Sequence, residues 1–265
     1  MVVDGDFFGL GLRAVVRVHP VSGDRTVVSG CPEADRLGNC LGSVIGLGPQ
    51  FVFPNAIAVA ADGALLVVDG SDFFNNGLLA LVRVDPVTGN RTVLSDATHG
   101  TGQQFAAPVA MAVERDDHLV VISEKAVVRV HPGTGDRTVV SGCRAVDDHG
   151  TCIGGLRGIG PPFVSPNAIA VEASGSLVVV DGPLGFTGNS TGQRLLMRVH
   201  PVTGDRTVLS APGKGHGPPF VAPVAVAVEA DGNLLVTASG SLQAVLRVDP
   251  RTGDRSIVSL KGSEP

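Results

Sequence analysis

The chain has neither tryptophan nor tyrosine, and its aromatic content is 10 phenylalanines in 265 residues. Bases of single-stranded nucleic acid and many sugars bind by stacking on large aromatic faces, so both ligand classes lose their usual platform. Charged residues make up only 17% and the net charge is −5, with no basic concentration to neutralise phosphates. Nucleic acid is thereby excluded as an expected partner. No run of about 18 apolar residues occurs, so no membrane span is expected. The opening residues Met1-Val2-Val3-Asp4-Gly5 lack the basic start and long apolar middle of a signal peptide.

What the chain does have is a repeated sentence. Val128-Arg129-Val130-His131-Pro132-Gly133-Thr134-Gly135-Asp136-Arg137-Thr138-Val139-Val140-Ser141 recurs, with small changes, from Val16, Val82, Met197 and Leu246. Each copy is two β-branched runs around a turn of Pro, Gly and Asp or Asn, which predicts a tight β-hairpin. A second hairpin module precedes the later copies, beginning Pro54-Asn55-Ala56-Ile57-Ala58-Val59 and ending Leu66-Val67-Val68-Asp69-Gly70, with counterparts from Pro108, Pro166 and Pro223. Together they form a unit of four consecutive antiparallel strands, named A to D below. With 43% hydrophobic residues, 36 Gly and 18 Pro, many strands and turns and hardly any helix are expected.

The hairpin returns after 66, 46, 69 and 49 residues, spacings that bracket the ~40–50 residues of a four-stranded propeller blade. The predicted fold is an all-β propeller of five units, at about 1–30, 51–95, 105–142, 163–210 and 220–259, with 261–265 a polar tail. Met1-Val2-Val3-Asp4-Gly5 matches the end of strand B, so the first unit is expected to lack strand A. A fragment of a longer propeller is the favoured reading; a five-unit ring with one incomplete blade is the other. The spacing Cys31 to Cys143 equals that of Cys40 to Cys152, so the most recent duplication is expected to have copied two blades together.

The A–B and C–D turns are minimal, while the B–C and D–A connections are long and varied, so function is expected on the face carrying the latter. Asn55 with Asp69, and Asn167 with Asp181, are expected beside one another at that face, at the mouth of a central channel. Two readings stay open. The oxygens coordinate a polar ligand or a cation such as Ca²⁺ or Mg²⁺, with Asp69 and Asp181 as metal ligands; or they accept backbone N–H groups from the following Gly turn. His99 and His216 precede strand A in Gly-rich loops and are the candidates for a general base. No Ser-His-Asp order or paired carboxylates accompany them, so no residue is assigned as catalytic. His19, His131 and His200 are expected as exposed turn residues, and the arginines Arg25, Arg91, Arg137, Arg206 and Arg255 as servants of the repeat, tying strand D to its neighbour. Asn90 and Asn189 lie in glycosylation sequons.

Cys31-x8-Cys40 and Cys143-x8-Cys152 share one spacing and leave no cysteine over. Local disulfides Cys31–Cys40 and Cys143–Cys152 are expected, and with them an oxidising location: extracellular, periplasmic or cell surface. The alternative is metal, but the spacing differs from that of zinc sites and His149 has no partner in the first loop.

The blade, with Pro-Asn-Ala-Ile-Ala-Val, Leu-Leu-Val-Val-Asp and Val-Arg-Val-Asp-Pro-x-Thr-Gly, resembles NHL-type repeats and the related gluconolactonase/regucalcin-like and streptogramin-lyase-like propellers. It looks most like bacterial repeat proteins built from "VxRVDPxTGDRTxVS" units. The resemblance implies a propeller and not an activity. It implies for the enzyme relatives a divalent metal held by Glu, Asn and Asp; here no Glu opens a strand toward the channel. The reading that follows is a non-catalytic, secreted or cell-surface propeller that binds a protein, peptide or other ligand on the long-loop face. The alternative is a metal-dependent lactonase or lyase.

Overall fold

The computed structural model describes residues 1–5, 11–35, 39–71, 77–147, 151–182, 194–239 and 241–261. The B–C loops are largely outside these ranges, as are His149, the Asn189 sequon and most of the polar tail. The described residues contain no helix, and none therefore that is long and apolar enough to cross a membrane.

The fold is a β-propeller of five antiparallel blades. Blade 1 has three strands, β1 (Val2–Asp4), β2 (Ala14–Val18) and β3 (Arg25–Gly30). Blade 2 runs β4 (Pro54–Val59), β5 (Leu65–Asp69), β6 (Ala80–Val84) and β7 (Arg91–Ser95); blade 3 runs β8 (Pro108–Val113), β9 (Leu119–Ser123), β10 (Ala126–Val130) and β11 (Arg137–Cys143), and adds a fifth short strand, β12 (Leu156–Arg157). Blade 4 holds β13 (Pro166–Val171), β14 (Leu177–Asp181), β15 (Leu195–Val199) and β16 (Arg206–Ser210); blade 5 holds β17 (Pro223–Val228), β18 (Leu234–Ala238), β19 (Ala244–Val248) and β20 (Arg255–Leu260). Neighbouring strands in each sheet are consecutive in sequence, as hairpin connections require. The fifth strand of blade 3 was not expected; it is the return arm of the Cys143–Cys152 loop, pairing Gly142 with Arg157 and Cys143 with Leu156.

In blades 2, 3 and 4 strand B is buried on both faces. All five residues of β5, β9 and β14 are buried. Alternate side chains of one strand therefore enter different cores. Val67 and Leu65 of β5 pack with Val15, Val28, Val82 and Phe51, and Val178 and Val180 of β14 pack with Leu234, Val236, Leu246 and Phe220. Each such fully buried Val or Leu contributes roughly 1.5–3 kcal/mol.

The chain divides into two compact units, residues 1–123 with 129–138, and 124–128 with 139–265. The first contains blades 1 and 2 and the inner strands of blade 3; the second contains blades 4 and 5. Within the first, β4 lies beside β1 and β8; within the second, β13 lies beside β17.

Candidate functional site

Asp69 and Asp181 end strand B and are fully buried. Asp69 accepts the N–H groups of Val52, Phe53 and Leu78 at 2.9, 3.0 and 3.3 Å, and Asp181 accepts those of Val164 and Ser165 at 2.9 and 2.7 Å. Apart from Leu78, which precedes strand C, these donors lie in the segment entering strand A and not in the Gly turn that follows, whose Gly70 instead donates to the Phe53 carbonyl. Burial pushes both carboxyls above the ordinary value, and the backbone donors pull against it. Blades 3 and 5 do the same job without charge. Ser123 Oγ accepts from Ala106 N–H and donates to the Ala106 carbonyl, while Ser239 donates its hydroxyl and N–H to the Ala222 carbonyl.

The register sets Pro54 opposite Asp69 and Pro166 opposite Asp181, with a bulge at the next residue. Asn55 and Asn167 are those bulge residues, so neither directly opposes an aspartate. Asn55 Nδ2 donates to the Pro108 carbonyl at 3.2 Å, the first residue of the next strand A. Asn167 Nδ2 donates to the carbonyls of Gly182 and Pro223 at 2.9 and 3.2 Å. A Cβ on Gly70 would come within 2.5 Å of the Asn55 amide and 2.4 Å of the Pro108 carbonyl, which explains the Gly of Val-Asp-Gly. Asn167 Oδ1 is buried without a hydrogen-bond partner among the described residues.

His99 belongs to the first unit and His216 to the second. The His99 ring sits 2.9 Å from Asp96, and that of His216 sits 3.1 Å from Asp254 with its side chain 98% exposed. Neither is bonded to the Asn and Asp set, and among the described residues no group of three or more His, Cys, Asp or Glu is arranged to hold a metal. Asn55, Asp69 and His99 lie in one unit, and Asn167, Asp181 and His216 in the other. The nitrogen Nδ1 of His19, His131 and His200 accepts backbone N–H groups of its own turn, as expected for turn residues.

The arrangement that sequence reasoning only glimpsed is a clasp between successive blades. Arg91, Arg137, Arg206 and Arg255 each reach into the preceding blade and donate to a Ser at or near the end of its strand D, namely Ser29, Ser95, Ser141 and Ser210, at 2.5–2.7 Å. That Ser donates in turn to the Gly carbonyl two residues before the arginine. Each Nε donates at 2.6 Å to a carbonyl of the D–A loop, at Pro49, Gln103, Pro161 and Pro218. The guanidinium carbons lie 5.0–5.5 Å from the ring centres of Phe51, Phe105, Phe163 and Phe220. Burial pulls the Arg91 and Arg206 pKa values below the ordinary one; carbonyl dipoles and a ring face stand where water would.

Backbone completes the clasp. The middle residue of each Gly-x-Gly (Leu47, Thr101, Ile159, His216) donates its N–H to the side chain of Asn90, Asp136, Asp205 or Asp254. Its carbonyl accepts the N–H of the following arginine. The flanking glycines have positive φ, and a Cβ on Gly46 or Gly158 would lie 1.9 Å from a carbonyl oxygen of the next turn. The D–A loops expected to be free for function are thus partly spent joining the turns of the next blade. The signal was in the sequence: Gly-x-Gly followed by a phenylalanine recurs at residues 46–51, 100–105, 158–163 and 215–220.

What remains projecting is a pair of stapled hairpins. Cys31–Cys40 and Cys143–Cys152 are both disulfide-bonded, and no free cysteine remains. Ala34 bridges to Cys40 and Val146 to Cys152. Leu41, Ile153 and Leu156 on them are 46, 65 and 49% exposed.

No family model and no curated protein matches the chain. Solved structures do. A chain of a nidogen/laminin complex superposes with a TM-score of 0.58 at 15% identity, covering 97% of this chain and 77% of that one. XC5397, a gluconolactonase of Xanthomonas campestris, gives 0.58 at 15% identity, covering 93% and 68%. A virginiamycin B lyase of Staphylococcus aureus gives 0.53 at 14% identity, covering 93% and 62%. At these identities the likeness is one of fold, shared by binding and catalytic proteins alike: the chain is similar to β-propellers of both kinds.

Proposed function

We propose that the chain is a non-catalytic binding propeller of an oxidising compartment, outside the cell, in a periplasm or at the cell surface. It takes a protein or peptide partner through the loop-bearing regions, with one disulfide hairpin in each unit as an anchor. The observation that carries the reading is these hairpins: a staple and a ladder bridge hold each rigid, while Leu41, Ile153 and Leu156 face outward. Apolar side chains on preorganised loops bind at a low cost in entropy. The paired cysteines support the compartment. The Asn and Asp set speaks less for a ligand, because its polar atoms are largely spent on backbone groups.

A second reading rests on one observation. Asn167 Oδ1, buried and without a partner among the described residues, is an oxygen of the kind that binds a hard cation, and two of the similar propellers are a gluconolactonase and a lyase. A single design separates the readings. Displayed peptides are selected on the immobilised chain, then measured against Leu41→Asp and Ile153→Asp variants, and the wild type is assayed for lactone hydrolysis with Ca²⁺ or Mg²⁺. Loss of at least about tenfold in peptide affinity at unchanged melting temperature supports binding. Peptides indifferent to both variants, or cation-dependent turnover that Asn167→Ala abolishes, would sink it.

A further inference from the structure

The C–D turns of blades 2 to 5 are built alike but capped by two chemistries. In each, the residue after strand C accepts the backbone N–H groups two and three positions on. Asp85 Oδ1 takes those of Val87 and Thr88 at 2.8 and 2.9 Å in blade 2, and Asp249 Oδ1 takes those of Arg251 and Thr252 at 2.7 and 3.4 Å in blade 5. In blade 3 the acceptor is His131 Nδ1, 3.1 Å from the nitrogens of Gly133 and Thr134. In blade 4 it is His200 Nδ1, 3.2 Å from those of Val202 and Thr203. A carboxylate keeps its acceptor oxygens down to about pH 4, whereas an imidazole nitrogen accepts only while the ring is neutral, and histidines take up a proton between about pH 8 and pH 5. A protonated Nδ1 faces the two N–H groups as a third donor, and the cap is lost.

These turns are the parts that engage the preceding blade. Asp136 Oδ1, in the His131 turn, accepts the N–H and hydroxyl of Thr101, and Asp205 Oδ1, in the His200 turn, accepts the N–H of Ile159. Their Oδ2 atoms accept the hydroxyls of Thr134 and Thr203. A charged ring attracts the carboxylate of its own turn. Protonation thus removes the cap and sets the ring competing for the group that ties down the Gly-x-Gly loop. The seam has little slack: a Cβ on Gly135 or Gly204 would lie 2.0 or 2.1 Å from the carbonyls of Leu94 and Val140. The other charged groups near the two turns are known. His118 packs edge-on against His131 with ring centres 5.2 Å apart and lies 3.1 Å from Asp116, so a charge on both rings pushes them apart. Glu114 is held by Arg129 and Glu172 by Arg198, and Arg157 donates to the Val202 carbonyl at 3.0 Å. His99 and His216 work the other way, because each lies beside an aspartate whose attraction grows with the proton.

We propose that mild acid loosens the two His-capped junctions, blade 2 to blade 3 and blade 3 to blade 4, and leaves the Asp-capped junctions, blade 1 to blade 2 and blade 4 to blade 5, closed. Each compact unit holds one junction of either kind. The loop between blades 3 and 4 carries the Cys143–Cys152 hairpin, so that hairpin gains freedom in acid while the Cys31–Cys40 hairpin keeps its seat. Acid then acts on one of the two anchors and spares the other, a consequence that rests on the binding reading above; the loosening itself does not.

Amide exchange of the whole chain at about pH 7.5 and about pH 5.5, corrected for the intrinsic pH dependence of exchange, tests this without any ligand. Four equivalent amides report the four junctions: those of Arg91, Arg137, Arg206 and Arg255, which donate to the carbonyls of Leu47, Thr101, Ile159 and His216. Protection is expected to fall at least about tenfold at Arg137 and Arg206 in acid, and less than about twofold at Arg91 and Arg255. His131→Asp and His200→Asp install the cap that blades 2 and 5 use, and each should abolish the loss at its own junction alone, with melting curves at about pH 7.5 showing that the variants fold. A loss of equal size at all four amides, no loss at any, or a loss that persists in the folded aspartate variants overturns the proposal.

Discussion

At the scale of the residue, the guanidinium at the head of strand D is the most heavily used group in the chain. Arg206 donates to Ser141 and to the carbonyls of Arg157, Gly158 and Pro161, and lies over Phe163. Lysine keeps the charge but lacks the planar fork, so Arg206→Lys is expected to lose about 2–4 kcal/mol. Urea unfolding checks this, and a loss under about 0.5 kcal/mol would demote the clasp to decoration. The carboxylates of this chain split by sign. Thr134 and Thr101 donors hold Asp136 down to about 2. In Asp96 burial pushes up, but the His99 ring and Thr98 prevail and bring it down to about 2. Folded values below the ordinary 3.8 mean stabilisation that is complete above it and is lost as pH falls toward about 2. The stability gap between wild type and Asp136→Asn should therefore narrow from about pH 4 to about pH 2. Asp69 and Asp181 are shifted upward by burial and run the other way: they favour the fold most below their ordinary value, and the benefit falls as pH rises through the folded one.

Elements were legible in the sequence where a turn residue announced them. Asp62-Gly63 and Asp231-Gly232 marked the A–B hairpins, and Pro-x-Thr-Gly the C–D ones, because few residues tolerate those dihedrals. Cysteine spacing gave both disulfides. The β12 strand was not legible, since Leu156-Arg157 has no alternation and pairs only because the staple returns it to β11. Nor could Asn55 be placed: a bulge shifts it off Asp69, and no sequence rule separated that register from its neighbour. The clasp loops make a sharp test of sterics. Gly158 and Gly155 have φ of 76° and 74°, but only at Gly158 would a Cβ strike the next blade. Alanine at either site pays about 1 kcal/mol for the left-handed backbone. Gly158→Ala should cost at least about 2 kcal/mol more by chemical denaturation, and equal losses would refute the close approach. Replacing Cys143 and Cys152 by alanine should cost about 2.5–3 kcal/mol for a loop of this length.

At the scale of the whole molecule, contacts run from each blade to the next, which is the arithmetic of a repeat protein. Cutting one junction should weaken its neighbours and spare distant sheets. In Arg255→Ala, amide exchange is expected to rise in β17–β20 and to stay at wild-type rates in β4–β7; a uniform rise across both would show that the chain unfolds as one body. The propeller was legible at this scale because period, strand count and turn chemistry agreed. The function was less so, because the residues that look like ligands, Asp69 and Asp181, are buried and bound to main chain, and the exposed ones, Leu41 and Ile153, carry no chemical signature. One consequence of the clasp reaches beyond this molecule. Since each inner repeat carries both the arginine that reaches the blade before and the serine that receives the blade after, copying two blades at once inserts a segment whose seams fit on both sides without any other change. A gene built from such units can lengthen by duplication and yield a folded product at each step. The cysteine pairs, repeated at one interval, look like the imprint of one such event.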